Sequence, residues 1–149
     1  MNGNEEDDVN VSNLTLRDSK GVGVLGNNGA SFHLDNVSVE NSEWHGVVVG
    51  GTKRNSLKNC NVSHSKKCGL FACNGGLMTI DGNGTTIHHN CTDGGSRDYG
   101  LKTFDSTDSI HLASSLTIET ISKNNGGGGN CGGNGTIKTI TDNTKEGKK

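Results

Sequence analysis

The sequence predicts an all-β fold, a right-handed single-stranded parallel β-helix of about five rungs of roughly 23 residues, and three observations carry that expectation. First, Leu34, Leu57 and Ile80 recur 23 residues apart, with Val11 one step earlier. The same spacing links Phe32, Asn55 and Met78, links Ser19, Ser42 and Ser65, and links Gly46 with Gly69. Second, the apolar residues alternate over short runs such as Phe32-His33-Leu34 and Val37-Ser38-Val39, the period-two signature of a strand. Third, hydrophobic residues make up 28% of the chain and aromatics 3%, beside 24 glycines and no proline. That is too little apolar mass for one compact core, yet a disordered chain has no reason to keep a fixed apolar period.

The elements follow in order. The first rung takes Val9, Val11, Leu14, Leu16, Val22 and Val24, and the second takes Phe32, Leu34, Val37, Val39, Val47 and Val49. The third takes Leu57, Cys60, Val62, Leu70 and Ala72, which makes Cys60 and Cys73 core or near-core thiols. Gly, Asn and Ser between the runs supply left-handed turn conformations. Asn13, Asn36 and Asn59 are expected to stack as a rung-to-rung amide ladder. In the fourth repeat ten positions separate Asn90 from Gly100 where four separate Ser65 from Gly69, so CTDGGSRDY is expected to bulge from the solenoid. Strand-like alternation resumes at Leu101 to Phe104, at Ile110 to Leu112 and at Leu116 to Ile118. Asn124 to Gly135 reads as a Gly/Asn loop, and Thr136 to Ile140 as the closing strand. The domain expectation is an acidic segment over 1–8, a β-helix over 9–141 and a lysine-rich tail over 142–149.

A formal charge of −2 gives no electrostatic case for nucleic acid or an anionic membrane as partner. No apolar stretch approaches the ~20 residues of a membrane span, and MNGNEEDD is the reverse of a basic signal-peptide start. The expectation is an intracellular or virion protein without a signal peptide. Five cysteines without paired CxxC spacing point to reduced thiols. Seven Asn-x-Ser/Thr triplets are read as turn Asn followed by strand Ser or Thr.

The segments GVGVLGNNGASFHLDNVSVENSEWHGVVVGG and LKNCNVSHSKKCGLFACNGG resemble the pectate-lyase-like right-handed β-helix repeat family, and more narrowly its members in large DNA viruses, unicellular algae and other protists. The resemblance covers roughly residues 9 to 141. It implies the fold and no single activity, because the family includes polysaccharide lyases, hydrolases, epimerases and fibre proteins. Lyases of that kind use a calcium cluster, so calcium is the cofactor a lyase would imply and a non-enzymatic member needs none.

The acids do not form a column: Asp18 is matched by Asn41 and His64, which leaves one carboxylate where glycoside hydrolysis needs two. The candidate catalytic residues are His64, His89, Asp93, Arg97 and Asp98, around and within the long loop. His64 and His89 precede the same turn on neighbouring rungs, so that His64, His88, His89 and Cys91 are the candidate metal ligands. Solvent-facing polar residues are the alternative reading of the same positions. Trp44 and His45, read as an exposed aromatic and imidazole pair, join Tyr99 as candidate contacts for a sugar ring. The leading function is a non-enzymatic structural or binding β-helix for glycan or protein, with a small polysaccharide lyase, epimerase or hydrolase as the alternative. A homotrimer is the expected oligomer if one forms.

Overall fold

The computed structural model describes residues 8–27, 29–51, 54–104 and 109–140. Glu5, Glu6, Asp7, Asp105, Asp108 and the tail lysines lie outside the described residues, whereas Asp8 is the first residue of a strand and pairs with Arg54 Nη1 at 3.0 Å.

Short apolar-x-apolar runs each bury one face, so the chain winds through strand after strand. The first turn is β1 (Asp8–Arg17) and β2 (Val24–Gly26); the second is β3 (Ser31–Glu40) and β4 (Val47–Gly50). The third is β5 (Asn55–Lys58), β6 (Asn61–Ser63) and β7 (Leu70–Cys73), and the fourth is β8 (Met78–Asp81), β9 (Thr86–His88) and β10 (Tyr99–Phe104). The last turn is β11 (Ile110–Leu112), α1 (Ile118–Ile121), β12 (Ser122–Lys123) and β13 (Gly129–Gly133), and β14 (Ile137–Thr139) starts another. All pairings are parallel, in three ladders: β1-β3-β5-β8-β11-β14, β1-β3-β6-β9-β12 and β2-β4-β7-β10-β13. The chain is a parallel β-solenoid of about five turns.

Register follows the 23-residue period. Val11 pairs Leu34, Leu34 pairs Leu57 and Leu57 pairs Ile80; the column continues to Leu112. Leu57 and Ile80 are fully buried. A second inner column sets Val24, Val47, Leu70 and Leu101 in line. The later turns grow by insertion at the corners. Ile87 lies 25 residues after Val62, Leu101 lies 31 after Leu70 and Leu112 lies 32 after Ile80, yet all three pairs remain in register.

Corners repeat as faithfully as strands. Asp18, Asn41, His64, His89 and Asn124 occupy one corner with φ of 62°, 58°, 58°, 54° and 55°, and Asn13, Asn36 and Asn59 occupy another with φ of 59°, 57° and 52°. This left-handed conformation is one that Asn, Asp and His tolerate better than other side chains do. The expected amide ladder is present between Asn36 Nδ2 and Asn13 Oδ1 at 2.9 Å, but Asn59 Oδ1 accepts the Gly84 N–H at 3.1 Å. A second ladder runs inside the solenoid. Asn90 Oδ1 accepts from Ser65 N–H and Oγ at 3.1 and 2.7 Å, and Asn90 Nδ2 donates to Val62 O and to Asn125 Oδ1. Asn125 repeats the motif by donating to Ile87 O at 3.2 Å. Interior amides of this kind are tolerated because their own donors and acceptors find partners on adjacent turns.

Two elements differ from expectation. Leu116 to Ile118 is not a strand: Thr117 caps α1, accepting from Thr120 N–H at 3.2 Å while its own N–H donates to Thr120 Oγ1 at 3.0 Å. This reciprocal cap satisfies the first turn and buries Leu116 and Ile121 together. The Gly/Asn run is not a structureless loop either, since Gly129 to Gly133 pairs with β10. At three of its glycines a side chain has no space. A Cβ on Gly128 would lie 2.5 Å from Tyr99 Cε1, and the Tyr99 ring and Thr103 carbonyl crowd Gly132 and Gly133.

The tightest column is glycine. A Cβ on Gly46 would stand 2.6 Å from Val62 Cγ1 and 2.7 Å from Gly69 O, and one on Gly69 would meet Ile87 Cγ2 at 2.6 Å and Gly100 O at 2.8 Å. Gly46→Ala is therefore expected to destabilise the protein by about 2 kcal/mol or more, because the Gly69 carbonyl as well as the buried Val62 side chain blocks the methyl. Chemical denaturation of this variant beside Gly75→Ala, where no atom lies within 4 Å of the added carbon, checks the contrast; Gly75→Ala carries only the strain of its positive φ.

Candidate functional site

The left-handed corner at Asp18, Asn41, His64 and His89 turns the chain outward, and its flanking residues form a polar groove of about 560 Å³ along the solenoid axis. Three successive turns supply equivalent groups: Asp18 and Lys20, then Asn41 and Glu43, then His64 and Lys66. Thr92, at the start of the long loop, closes the far end. Lys66 Nζ contacts Glu43 Oε2 at 2.9 Å. The Lys66 hydrogen bond and charge hold Glu43 below the usual carboxylate range, and Glu43 in turn raises Lys66.

Three of the sequence-predicted residues meet at the end of this corner. The rings of His64 and His89 stack with centroids 5.4 Å apart and planes 8° apart, as equal corner positions on adjacent turns require. His88 stands edge-on to both, at 6.0 Å from His64 and 5.0 Å from His89. Its Nδ1 faces His89 Nδ1 at 2.8 Å and its Nε2 faces Asn61 Oδ1 at 2.8 Å. Burial first, then the neighbouring His89 and His64, lowers the pKa of His88. Among the described residues no three His, Cys, Asp or Glu side chains are already grouped so as to hold a metal ion.

Trp44 and His45 separate. Trp44 is 51% exposed, with Lys67 Nζ 5.5 Å from its ring centroid. His45, expected to be exposed, is 9% exposed and lies against Phe71 with centroids 5.1 Å apart. The Cys68 N–H donates to His45 Nδ1 at 3.0 Å, so the ring is neutral with its proton on Nε2. Burial, the dominant cause, pushes the pKa of His45 down to about 4. It cannot stack on a sugar, because the adjacent turn already covers it.

The long loop does not bulge freely. Its first residues continue the ladder of the turn below: Cys91, Thr92 and Asp93 N–H donate to Lys67, Ser65 and Lys66 O at 2.9, 3.2 and 3.0 Å. The turn above covers it, with Gly126 N–H donating to Asn90 O and Gly128 N–H to Asp98 O. Asp98 organises the loop interior, accepting from Gly95 N–H at 2.9 Å and from the Cys68 thiol at 3.5 Å. Cys91 is buried rather than presented beside the histidines, and burial pushes its thiol up to about 11 and that of Cys68 up to about 12. The Tyr99 ring packs on Gly128 and Gly132, while Asp93 and Arg97 stay exposed at the loop surface. The structure thus assembles His64, His88 and His89, and assigns Asp98, Cys91 and Tyr99 to holding the loop. Lys20, Glu43, Lys66 and Asn61 were not singled out by sequence; the 23-residue step from Glu43 to Lys66 is the signal that marks the charge pair.

Two outcomes follow for stability. Unfolded His45 takes a proton near its ordinary value of 6.5, whereas folded His45 takes one only near 4. The unfolded chain therefore binds more protons across that window, and stability falls as pH drops from 6.5 to 4, by on the order of 3 kcal/mol. Denaturant titrations at both ends of the window check this, with His45→Phe expected to flatten the acid limb. Shortening the Cys91 to Tyr99 loop to the length between Ser65 and Gly69 is expected to cost about 2–4 kcal/mol, since it uncovers Cys68 and breaks the ladder bonds; thermal melting measures it.

Comparison with protein-family models, with curated proteins and with solved structures finds no match to this chain.

Proposed function

We propose that the protein is a non-enzymatic β-solenoid that binds an extended glycan along the polar corner groove. The observation that carries the reading is the repetition of one set of polar positions, Asp18 and Lys20, Asn41 and Glu43, His64 and Lys66, on consecutive turns of a rigid ladder. Successive turns stand roughly 4.8 Å apart, a step close to the length of one sugar ring, so a linear polysaccharide meets equivalent donors and acceptors at each residue. The half-exposed indole of Trp44, adjoining Glu43 in the chain, supplies an aromatic face of the kind that sugar rings stack on.

The acid chemistry of the groove favours binding over cleavage. A general acid at neutral pH needs a carboxyl held above its ordinary value, and Glu43 is held below it by Lys66. The resemblance of the repeat motif to the pectate-lyase-like family, whose members act on or bind polysaccharides, agrees with a glycan ligand.

Affinity electrophoresis of the full chain in gels containing polygalacturonate, alginate or xylan tests the proposal. Retardation by at least one polymer is expected, with Trp44→Ala and the double variant Lys20→Ala/Lys66→Ala losing it while melting near the parent temperature. Migration unaffected by every polymer, or release of unsaturated uronic products, would overturn it.

A further inference from the structure

The Nδ1 atoms of His88 and His89 face one another at 2.8 Å, a hydrogen-bond distance that requires one proton between them, and the bonds around them settle which ring supplies it. Asn61 Oδ1 is an acceptor only; it receives the Thr86 hydroxyl at 2.8 Å and faces His88 Nε2 at 2.8 Å. His88 Nε2 therefore carries a hydrogen, and neutral His88 points the Nδ1 lone pair at His89. One ring N–H anchored on an oxygen while the other nitrogen offers its lone pair is the arrangement by which metal-binding imidazoles are oriented. Here it is built into the solenoid wall, since Asn61, Thr86 and His88 belong to the paired strands β6 and β9.

From this geometry we propose that His88 and His89 chelate a divalent transition-metal ion of the zinc, nickel or copper type through their two Nδ1 atoms, with His64 closing on it from the turn below. Binding replaces the proton between the two nitrogens: in neutral His89 it passes through solvent from Nδ1 to the exposed ring's Nε2, so both rings stay neutral and each Nδ1 donates its lone pair to the cation. Two nitrogens bound tetrahedrally at ~2.0–2.1 Å lie about 3.3 Å apart, so the 2.8 Å contact must open by about half an ångström. His89 and His64 are both exposed, which leaves their rings free to make that movement while Asn61 holds His88. The three rings lie with centroids 5.0, 5.4 and 6.0 Å apart, and because the His64 and His89 planes are stacked 8° apart, His64 must rotate before its nitrogen points at the same ion. As the rings stand, no three of them surround a common point, so the site forms only on this rearrangement. Imidazole donors without thiolate or carboxylate select borderline metals over calcium or magnesium. Cys91, buried beneath the loop, takes no part.

The corner itself supplies the controls, because the same positions on other turns carry Asn and Ser. His89→Asn and His64→Asn reproduce Asn41, and His88→Ser reproduces Ser63, so that each variant keeps a side chain the backbone already accommodates. Isothermal titration of the full chain with zinc chloride at neutral pH, paired with imidazole nitrogen NMR shifts, is the experiment. One zinc per chain is expected, with coordination shifts at the Nδ1 atoms of His88 and His89. Affinity should fall roughly tenfold or more in His88→Ser and in His89→Asn, by less in His64→Asn, and not at all in His33→Asn. Circular dichroism melting of the same samples without zinc, close to the parent, shows that the fold is kept. Absence of zinc-dependent heat and shifts in the parent, or zinc binding that survives both His88→Ser and His89→Asn, would overturn the assignment.

Discussion

Among the described residues, each paired strand position sits directly above its counterpart one turn away, and that parallel in-register stacking is the constraint on which the rest depends. Strand hydrogen bonds set the step between turns, so no position can adjust its height alone. An inner column must be apolar at each level, as Leu34, Leu57, Ile80 and Leu112 are. A corner must suit a left-handed backbone at each level. Where turns approach too closely for a methyl group, as at Gly23, Gly46, Gly69 and Gly100, glycine is obligatory for steric reasons and not for flexibility. A thin solenoid core is then stable despite the low apolar content, because each buried side chain meets neighbours above, below and across.

The same stacking explains how polar groups enter the interior. Asn55, Asn90 and Ser65 are as buried as the core leucines, yet each bonds to the backbone or side chain of an adjacent turn. Ionisable groups inside follow a stricter rule. His45 and the thiols of Cys60, Cys68 and Cys91 are all displaced toward their neutral forms by burial. Charge is confined to the outer surface, where ladders such as Glu43 and Lys66 or Arg17 and Glu40 pair it from turn to turn.

The corners are where this architecture acquires chemistry. Strand positions are committed to the ladder and core, but a corner residue directs its side chain outward from a fixed backbone. Stacked corners therefore build linear arrays, and the array from Asp18 to His89 ends in imidazoles where its earlier members are Asp and Asn. The long loop, which carries the densest ionisable residues in the sequence, plays the opposite part. It is clamped between the third and fifth turns, and Asp98 and Tyr99 serve its packing.

Sequence alone determined the solenoid, its inner columns and the pairing of His64 with His89, because a 23-residue period is written directly in residue spacing and survives insertions that leave strands intact. It placed the alternation of β1 to β8 for the same reason. Only the tertiary structure decided the fate of Gly129 to Gly133, which pairs with β10 through backbone alone, and where the Tyr99 ring and the Thr103 carbonyl leave room only for glycine at 132 and 133. Likewise it decided that His45 is buried and Trp44 exposed, since adjacent residues at a corner face opposite ways and no local pattern tells which one meets Phe71. The bond from His88 to Asn61 spans 27 residues across a turn that has departed from the regular period. Contacts made across insertions leave no fixed spacing in the chain, so they are set by where the corner is folded and not by where its residues lie in sequence.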